Sequence, residues 1–91
     1  EPVKMPLRYV IEMFCDRVAA SKIYQGKNYT ENHPIAYLQN GKAKDKMHPD
    51  TYAFLEKLLL MLAEKGEEET FRFIKAYRKT HKEYSAQDPS R

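Results

Sequence analysis

The sequence predicts an all-α protein with a single helical domain over residues 1–84, built from four helices of which one is short. Two observations support this prediction. Apolar residues recur at the spacing of helix faces rather than of strands, and Pro and Gly stand where helices begin and end. The most informative stretch is 7–24, which is apolar on nearly every side and yet has an acidic residue, Asp16, in its middle.

The first predicted helix begins near Pro6 and ends near Gly26. Proline suits a first helical position because its missing N–H would have no partner there, and glycine is typical of a helix C-terminus. One side of this helix is an apolar stripe, and the opposite side is also apolar apart from Glu12 and Asp16. The stripe contains Leu7, Val10, Ile11, Phe14, Cys15 and Val18, and the opposite side contains Tyr9, Met13, Ala20 and Ile23.

A helix that is apolar on both sides is normally surrounded by other elements. This chain of 91 residues has few elements to place there. We therefore expect the Asp16 side to be covered by something outside the sequence. Either the chain is the C-terminal part of a longer helical protein, as its start at Glu1 also suggests, or a second copy forms a homodimer with it through a two-fold interface.

The remaining helices follow from proline, glycine and charge. A short second helix is predicted over 34–39, and the basic segment 42–47 is predicted to be a mobile loop. The third helix, 49–65, begins with proline and stops at Gly66. The fourth begins at Glu67, where helix dipoles favour acidic residues. Because the link between them is so short, the third and fourth helices must form a tight antiparallel hairpin.

The predicted core lies on the inner faces of the three longer helices, with Tyr84 as the last inner residue of the fourth. It comprises Val10, Ile11, Phe14, Val18, Leu55, Leu58, Leu59, Leu62, Phe73, Ile74 and Tyr77. The tail 85–91 is predicted to be disordered.

Composition limits the classes of function. One cysteine excludes an internal disulfide and a cysteine-based zinc site, and we expect a cytoplasmic protein. No apolar run reaches the roughly 18–20 residues of a membrane span, so no membrane partner is expected. The basic segments 41–46 and 75–82 are nearly balanced by acids, and the net charge is only +3. Nucleic acid is therefore not an expected partner.

The segment CDRVAA at 15–20 resembles the last motif of the HD-domain metal-dependent phosphohydrolases. In those proteins a late helix presents an Asp that completes a metal site begun by an upstream His and a His-Asp doublet. The chain also resembles the C-terminal half of an uncharacterised bacterial family labelled as a domain of unknown function, whose full-length members contain a His-Asp doublet in an N-terminal half. The matching segments are KMPLRYVIEMFCDRVAASKIYQGKNYT, MHPDT and LAEKGEEETF.

The resemblance implies Asp16 as a ligand of a divalent metal in a full-length phosphohydrolase-type protein, with Arg17, His33 and His48 as candidate phosphate or site contacts. The metal would lie against the chain's own N-terminal half. No His-Asp doublet occurs in these 91 residues. A lone carboxylate binds hard divalent ions weakly, so we expect neither a bound metal nor catalysis in this chain alone.

Simpler interpretations stand beside these. In these, Asp16 is a partly exposed residue paired with Arg17, Arg8 or Lys22, and His33 and His48 end loops and cap helices. Cys15 is expected to be a buried structural thiol. Tyr24, Tyr29 and Tyr37 cluster around the loop after the first helix, where some of them line a groove. The alternative function is a non-catalytic helical module that self-associates or docks a partner through the surface around Asp16.

Overall fold

The computed structural model describes residues 3–84. Over this range the chain forms four α-helices and one 3₁₀ turn, and no strand. The helices are α1 (Leu7–Gln25), α2 (His33–Asn40), α3 (Ala43–Lys46) and α4 (Pro49–Thr80), and the 3₁₀ turn Gly26–Asn28 follows α1. The prediction of an all-α fold is confirmed. The tail 85–91, predicted to be disordered, lies outside the described residues.

The helix α4 consists of two limbs, 49–65 and 67–80, which meet at Gly66. There the backbone leaves the helical conformation, with φ 88° and ψ 171°, a region that glycine adopts without steric cost. Aromatic rings from the far ends of the two limbs meet, because the Phe54 centroid lies 5.1 Å from that of Tyr77. The limbs therefore run antiparallel and form the predicted hairpin.

Two local expectations are wrong. The segment 43–46 forms the single-turn helix α3 instead of a mobile loop, because Ala43 and Met47 pack against the core and fix both of its ends. The helical conformation of α4 ends at Thr80, so Tyr84 is not part of a helix. Tyr84 is nevertheless only 2% exposed, because its ring stacks on Phe54 with centroids 5.0 Å apart.

The core lies where the apolar stripe of α1 meets α2 and α4. All predicted core residues are buried except Phe73, which is partly buried and packs against the others. The first limb of α4 provides the centre of this core. Its fully covered leucines, each 0% exposed, are Leu55, Leu58, Leu59 and Leu62.

Buried hydrogen bonds hold the two ends of the described chain against the start of α4. The Met5 N–H donates to Thr51 Oγ1 at 3.1 Å, and Thr51 Oγ1 lies 2.8 Å from the Tyr84 hydroxyl. That hydroxyl donates in turn to the Met5 carbonyl. This closed set satisfies each of the buried hydroxyls. At the margin, Lys4 forms an ion pair with Asp50 at 3.6 Å.

Within residues 3–84, no helix combines the length and the hydropathy that crossing a bilayer requires.

Candidate functional site

The second side of α1 is left largely uncovered by residues 3–84. At about 100° per residue, six of its side chains fall on one arc of the helix surface, which we name the open face. All of them except the partly buried Met13 are exposed among the described residues. The open face comprises Tyr9, Glu12, Met13, Asp16, Ala20 and Ile23.

Asp16 lies at the centre of the open face, with Glu12 one turn before it, and both are exposed. Their negative charge acts on the neighbouring thiol. The pKa of Cys15 is raised, first by partial desolvation of the thiol and then by the charges of Asp16 and Glu12. The open face is therefore an apolar surface with an acidic centre.

The prediction that Cys15 is a buried structural thiol is wrong, because the residue is exposed. Cys15 lies at the margin of the apolar stripe of α1, about 100° around the helix from Phe14. Phe14 is 0% exposed within the core, whereas the elements packed on α1 do not extend over Cys15.

The structure does not assemble a metal site around Asp16. Within residues 3–84, no group of three or more His, Cys, Asp or Glu side chains is arranged to hold a metal ion. Divalent ions require several oxygen or imidazole ligands. The residues that the structure describes therefore do not by themselves fit the metal site that the phosphohydrolase resemblance implies.

The two candidate histidines make local contacts at helix starts. His33 Nδ1 accepts a hydrogen bond from the Thr30 N–H at 2.9 Å, in the turn that precedes α2. His48 Nδ1 accepts one from the Asp50 N–H at 3.0 Å and so caps the first turn of α4. These contacts favour the interpretation that both histidines end loops and fix helix starts.

Arg17 does not share the open face with Asp16, because it lies about 100° further around α1. It lines a groove of about 530 Å³ between α1 and α2. The expectation that tyrosines line a groove is confirmed for Tyr24 and Tyr37, whose rings meet edge to face with centroids 6.0 Å apart. The complete lining, which we name the α1/α2 groove, is Arg17, Ala20, Ser21, Ile23, Tyr24, Pro34 and Tyr37.

Next to this groove, the loop before α2 contacts α4 at the junction of its two limbs beside Gly66. Glu31 Oε2 accepts a hydrogen bond from the Glu67 N–H at 3.0 Å, and Lys22 Nζ pairs with the Glu67 carboxylate at 2.6 Å. Glu31 thus caps the second limb of α4 from a distant part of the sequence. No local pattern predicts this role of Glu31, although the absence of Ser, Thr, Asp or Asn directly before Glu67 indicates that a local cap is missing.

Comparison with known families identifies a family for this chain. A model described as a family of unknown function, DUF5662, matches residues 1–61 of the 91. The match includes the whole of α1, α2 and α3 and most of the first limb of α4. No curated protein matches the chain, and no solved structure matches it.

Proposed function

We propose, on the premise that this chain belongs to DUF5662, a family of unknown function, that it is the helical part of an HD-like metal-dependent phosphohydrolase-type protein. In this proposal the open face docks onto a segment outside residues 3–84, in the first place the protein's own N-terminal half. Asp16 is the ligand that this chain contributes to a divalent metal site. The chain is not catalytic on its own.

The observation that supports this proposal is the position of a carboxylate at the centre of an apolar face. When such a face is covered, its carboxylates lose their contact with water, which is costly unless an opposite charge compensates them. The open face has two carboxylates, Glu12 and Asp16, and no basic side chain. The covering segment therefore has to bring positive charge, either as basic side chains or as a bound cation.

The motif at 15–20 favours a bound metal cation over basic side chains as the source of this positive charge. In the resemblance to HD-domain phosphohydrolases, the Asp of this motif completes a site whose imidazole and carboxylate ligands lie upstream. His33 and His48 have no part in the proposal, because the Nδ1 atom of each accepts a local hydrogen bond, His33 in the turn before α2 and His48 at the first turn of α4. Within residues 3–84 no group of three or more His, Cys, Asp or Glu side chains is arranged to hold a metal, so the proposal takes the remaining ligands from the covering segment.

The test uses the full-length gene product, with metal content and phosphatase activity measured on the purified protein. Replacing a metal ligand by its amide removes a charged donor, so Asp16→Asn should lower both quantities by about tenfold or more. Glu12→Gln is the matched control, because it removes the same charge one turn away on the same face. Unchanged metal content and activity in Asp16→Asn would exclude Asp16 from the site.

A second measurement tests the assignment to HD-like proteins themselves. The proposal requires a His-Asp doublet in the segment that covers the open face. A full-length sequence without such a doublet would contradict the assignment to HD-like proteins. The same holds if the added segment leaves Asp16 open to solvent. In either case only a docking role would remain for the open face.

The second candidate function is a non-catalytic module that self-associates or docks a partner, and exposed apolar side chains favour it. Ile23 and Tyr24 are 84% and 78% exposed, and Tyr37 beside them is 42% exposed. Contiguous exposed apolar residues mark interfaces in soluble proteins. A two-fold pairing centred on Asp16 would bring the carboxylates of both copies together, so a second copy would pair through the end of α1 near Ile23.

A further inference from the structure

We propose that the α1/α2 groove binds a small organic anion with a flat apolar body, such as an aromatic carboxylate. The proposal goes beyond the function proposed above and does not depend on it. The groove shares Ala20 and Ile23 with the open face, but Asp16 is not among its lining residues and no metal is needed for binding.

The charge of the groove selects the anion. Arg17 is the one formally charged residue in the lining. Its Nε is buried and has no hydrogen-bond partner within residues 3–84. A buried donor without an acceptor is costly, so an acceptor brought by a ligand is favoured. A guanidinium receives a carboxylate through two parallel hydrogen bonds, and because no protein group holds Nε, the side chain can turn towards the groove without losing a bond there.

The walls of the groove select the flat apolar body. Tyr24 and Tyr37 meet edge to face, and Pro34 adds an apolar surface on the α2 side. Gln25 Nε2 donates to the Tyr37 hydroxyl at 2.6 Å and so fixes the orientation of that ring. Aromatic side chains prefer offset or edge-to-face contact with another ring, so an aromatic ligand can add to this pair.

The size of the groove favours a small molecule. Its volume of about 530 Å³ falls within the range of roughly 300–1,000 Å³ that is usual for small-molecule sites. An aromatic carboxylate can place its ring on the tyrosines and its carboxylate at Arg17, so that one ligand satisfies both the orphaned donor and the apolar walls.

The test is a ¹H–¹⁵N NMR titration of the 91-residue chain with 2-naphthoate and, as the neutral analogue of the same shape, 2-naphthamide. Because a hydrogen bond to a charged group adds to affinity, 2-naphthoate should bind about tenfold more tightly than 2-naphthamide. The resonances that shift should be Arg17 Nε–H and the backbone amides of Ser21, Tyr24 and Tyr37.

Two variants assign the preference to the groove. Arg17→Gln should bind both probes with equal affinity, whereas Arg78→Gln, which removes one positive charge from the exposed second limb of α4, should keep the preference for 2-naphthoate. Circular dichroism checks that both variants keep the helical content of the parent. No binding of 2-naphthoate, equal affinity of the parent for the two probes, shifts centred outside the groove, or an Arg17→Gln variant that behaves like Arg78→Gln would each overturn the proposal.

Discussion

The pKa of Cys15 responds to the negative charge of the open face, because Asp16 and Glu12 act on its thiol. Its pKa is raised by desolvation and by the charges of Asp16 and Glu12. Since only the thiolate is nucleophilic, a raised pKa lowers the reactive fraction at any pH below it. An exposed cysteine in this position is therefore a slow nucleophile, and it gives no sign of a catalytic thiol.

We predict that Cys15 reacts with iodoacetamide more slowly than an unstructured cysteine peptide at mildly alkaline pH. Asp16→Asn removes one of the charges that raise the Cys15 pKa, so the pH profile of its alkylation rate should move to lower pH. The measurement is the second-order rate constant across a pH series. Glu68→Gln, a charge removed from the exposed start of the second limb, is the control, and equal profiles for the two variants would contradict the prediction.

For single residues, the sequence predicts the position of a side chain around its helix better than it predicts whether that side chain is buried. Helical spacing places Cys15 in the stripe and Asp16 opposite it, and the structure agrees with both angular positions. Whether a residue at the margin of a stripe is buried depends on how far the neighbouring helix extends, which is a tertiary property. For this reason Val10 and Phe14 are buried as predicted while Cys15 is exposed.

Gly66 determines the geometry of the α4 hairpin, because its φ of 88° and ψ of 171° belong to a region that is almost exclusive to glycine. We predict that Gly66→Ala lowers the free energy of unfolding by about 1–3 kcal/mol through backbone strain. Urea denaturation measures the change. Lys65→Ala, an exposed neighbour, should stay within about 0.5 kcal/mol of the parent, and equal stabilities for the two variants would show that the hinge is not strained by a side chain.

Glu31 stabilises the second limb of α4 by accepting the hydrogen bond of the Glu67 N–H. Removing a cap of this kind costs about 0.5–2 kcal/mol, so Glu31→Ala should lower the free energy of unfolding by that amount. Thermal or urea denaturation measures it. Glu64→Ala, an exposed glutamate on the first limb, should have a smaller effect, and a Glu31→Ala variant as stable as the parent would mean that water replaces the cap.

The helix limbs of α4 were predictable because the residues that begin and end them lie within the same short stretch of sequence. Pro49 and Gly66 mark the ends of one limb, and the short link requires a hairpin. The cap from Glu31 to Glu67 joins residues 36 positions apart, so no local pattern identifies it. The helical turn α3 was not predictable for the same reason, because it depends on tertiary contacts. Ala43 and Met47 pack against the core, and the basic segment between them is helical.

The whole molecule depends on the first limb of α4, where Leu58 and Leu59 are both 0% exposed. We predict that Leu58→Ala and Leu59→Ala each lower the free energy of unfolding by about 2–5 kcal/mol, because each leaves a cavity in the core. That loss is a large part of the stability of a small domain. Leu60→Ala is the control on the same limb, since Leu60 is 38% exposed. Losses at Leu58 and Leu59 no larger than at Leu60 would contradict the position of the core.

The fold class and the core follow from periodicity and helix signals, whereas the candidate site depends on a motif and on how the helices pack. The sequence identifies Asp16 through a motif, and the structure places it on an uncovered face. The α1/α2 groove was not predictable in detail, because Arg17 and Tyr37 come from different helices whose packing brings them together.

Self-association is the remaining property of the whole molecule, and exposed apolar side chains predict it. Exposed Ile23 and Tyr24 at the end of α1 form an apolar patch with Tyr37 of α2. Burying this patch in a second copy would remove apolar surface from water. We predict that the chain sediments as an equilibrium of monomer and dimer at micromolar concentration, and that Ile23→Asp shifts it to monomer. Asp16→Asn should leave the equilibrium unchanged, because pairing is expected at the Ile23 end of α1, away from the carboxylates. A clean monomer that binds no hydrophobic dye would contradict this prediction, because it would show that the patch formed by Ile23, Tyr24 and Tyr37 does not associate.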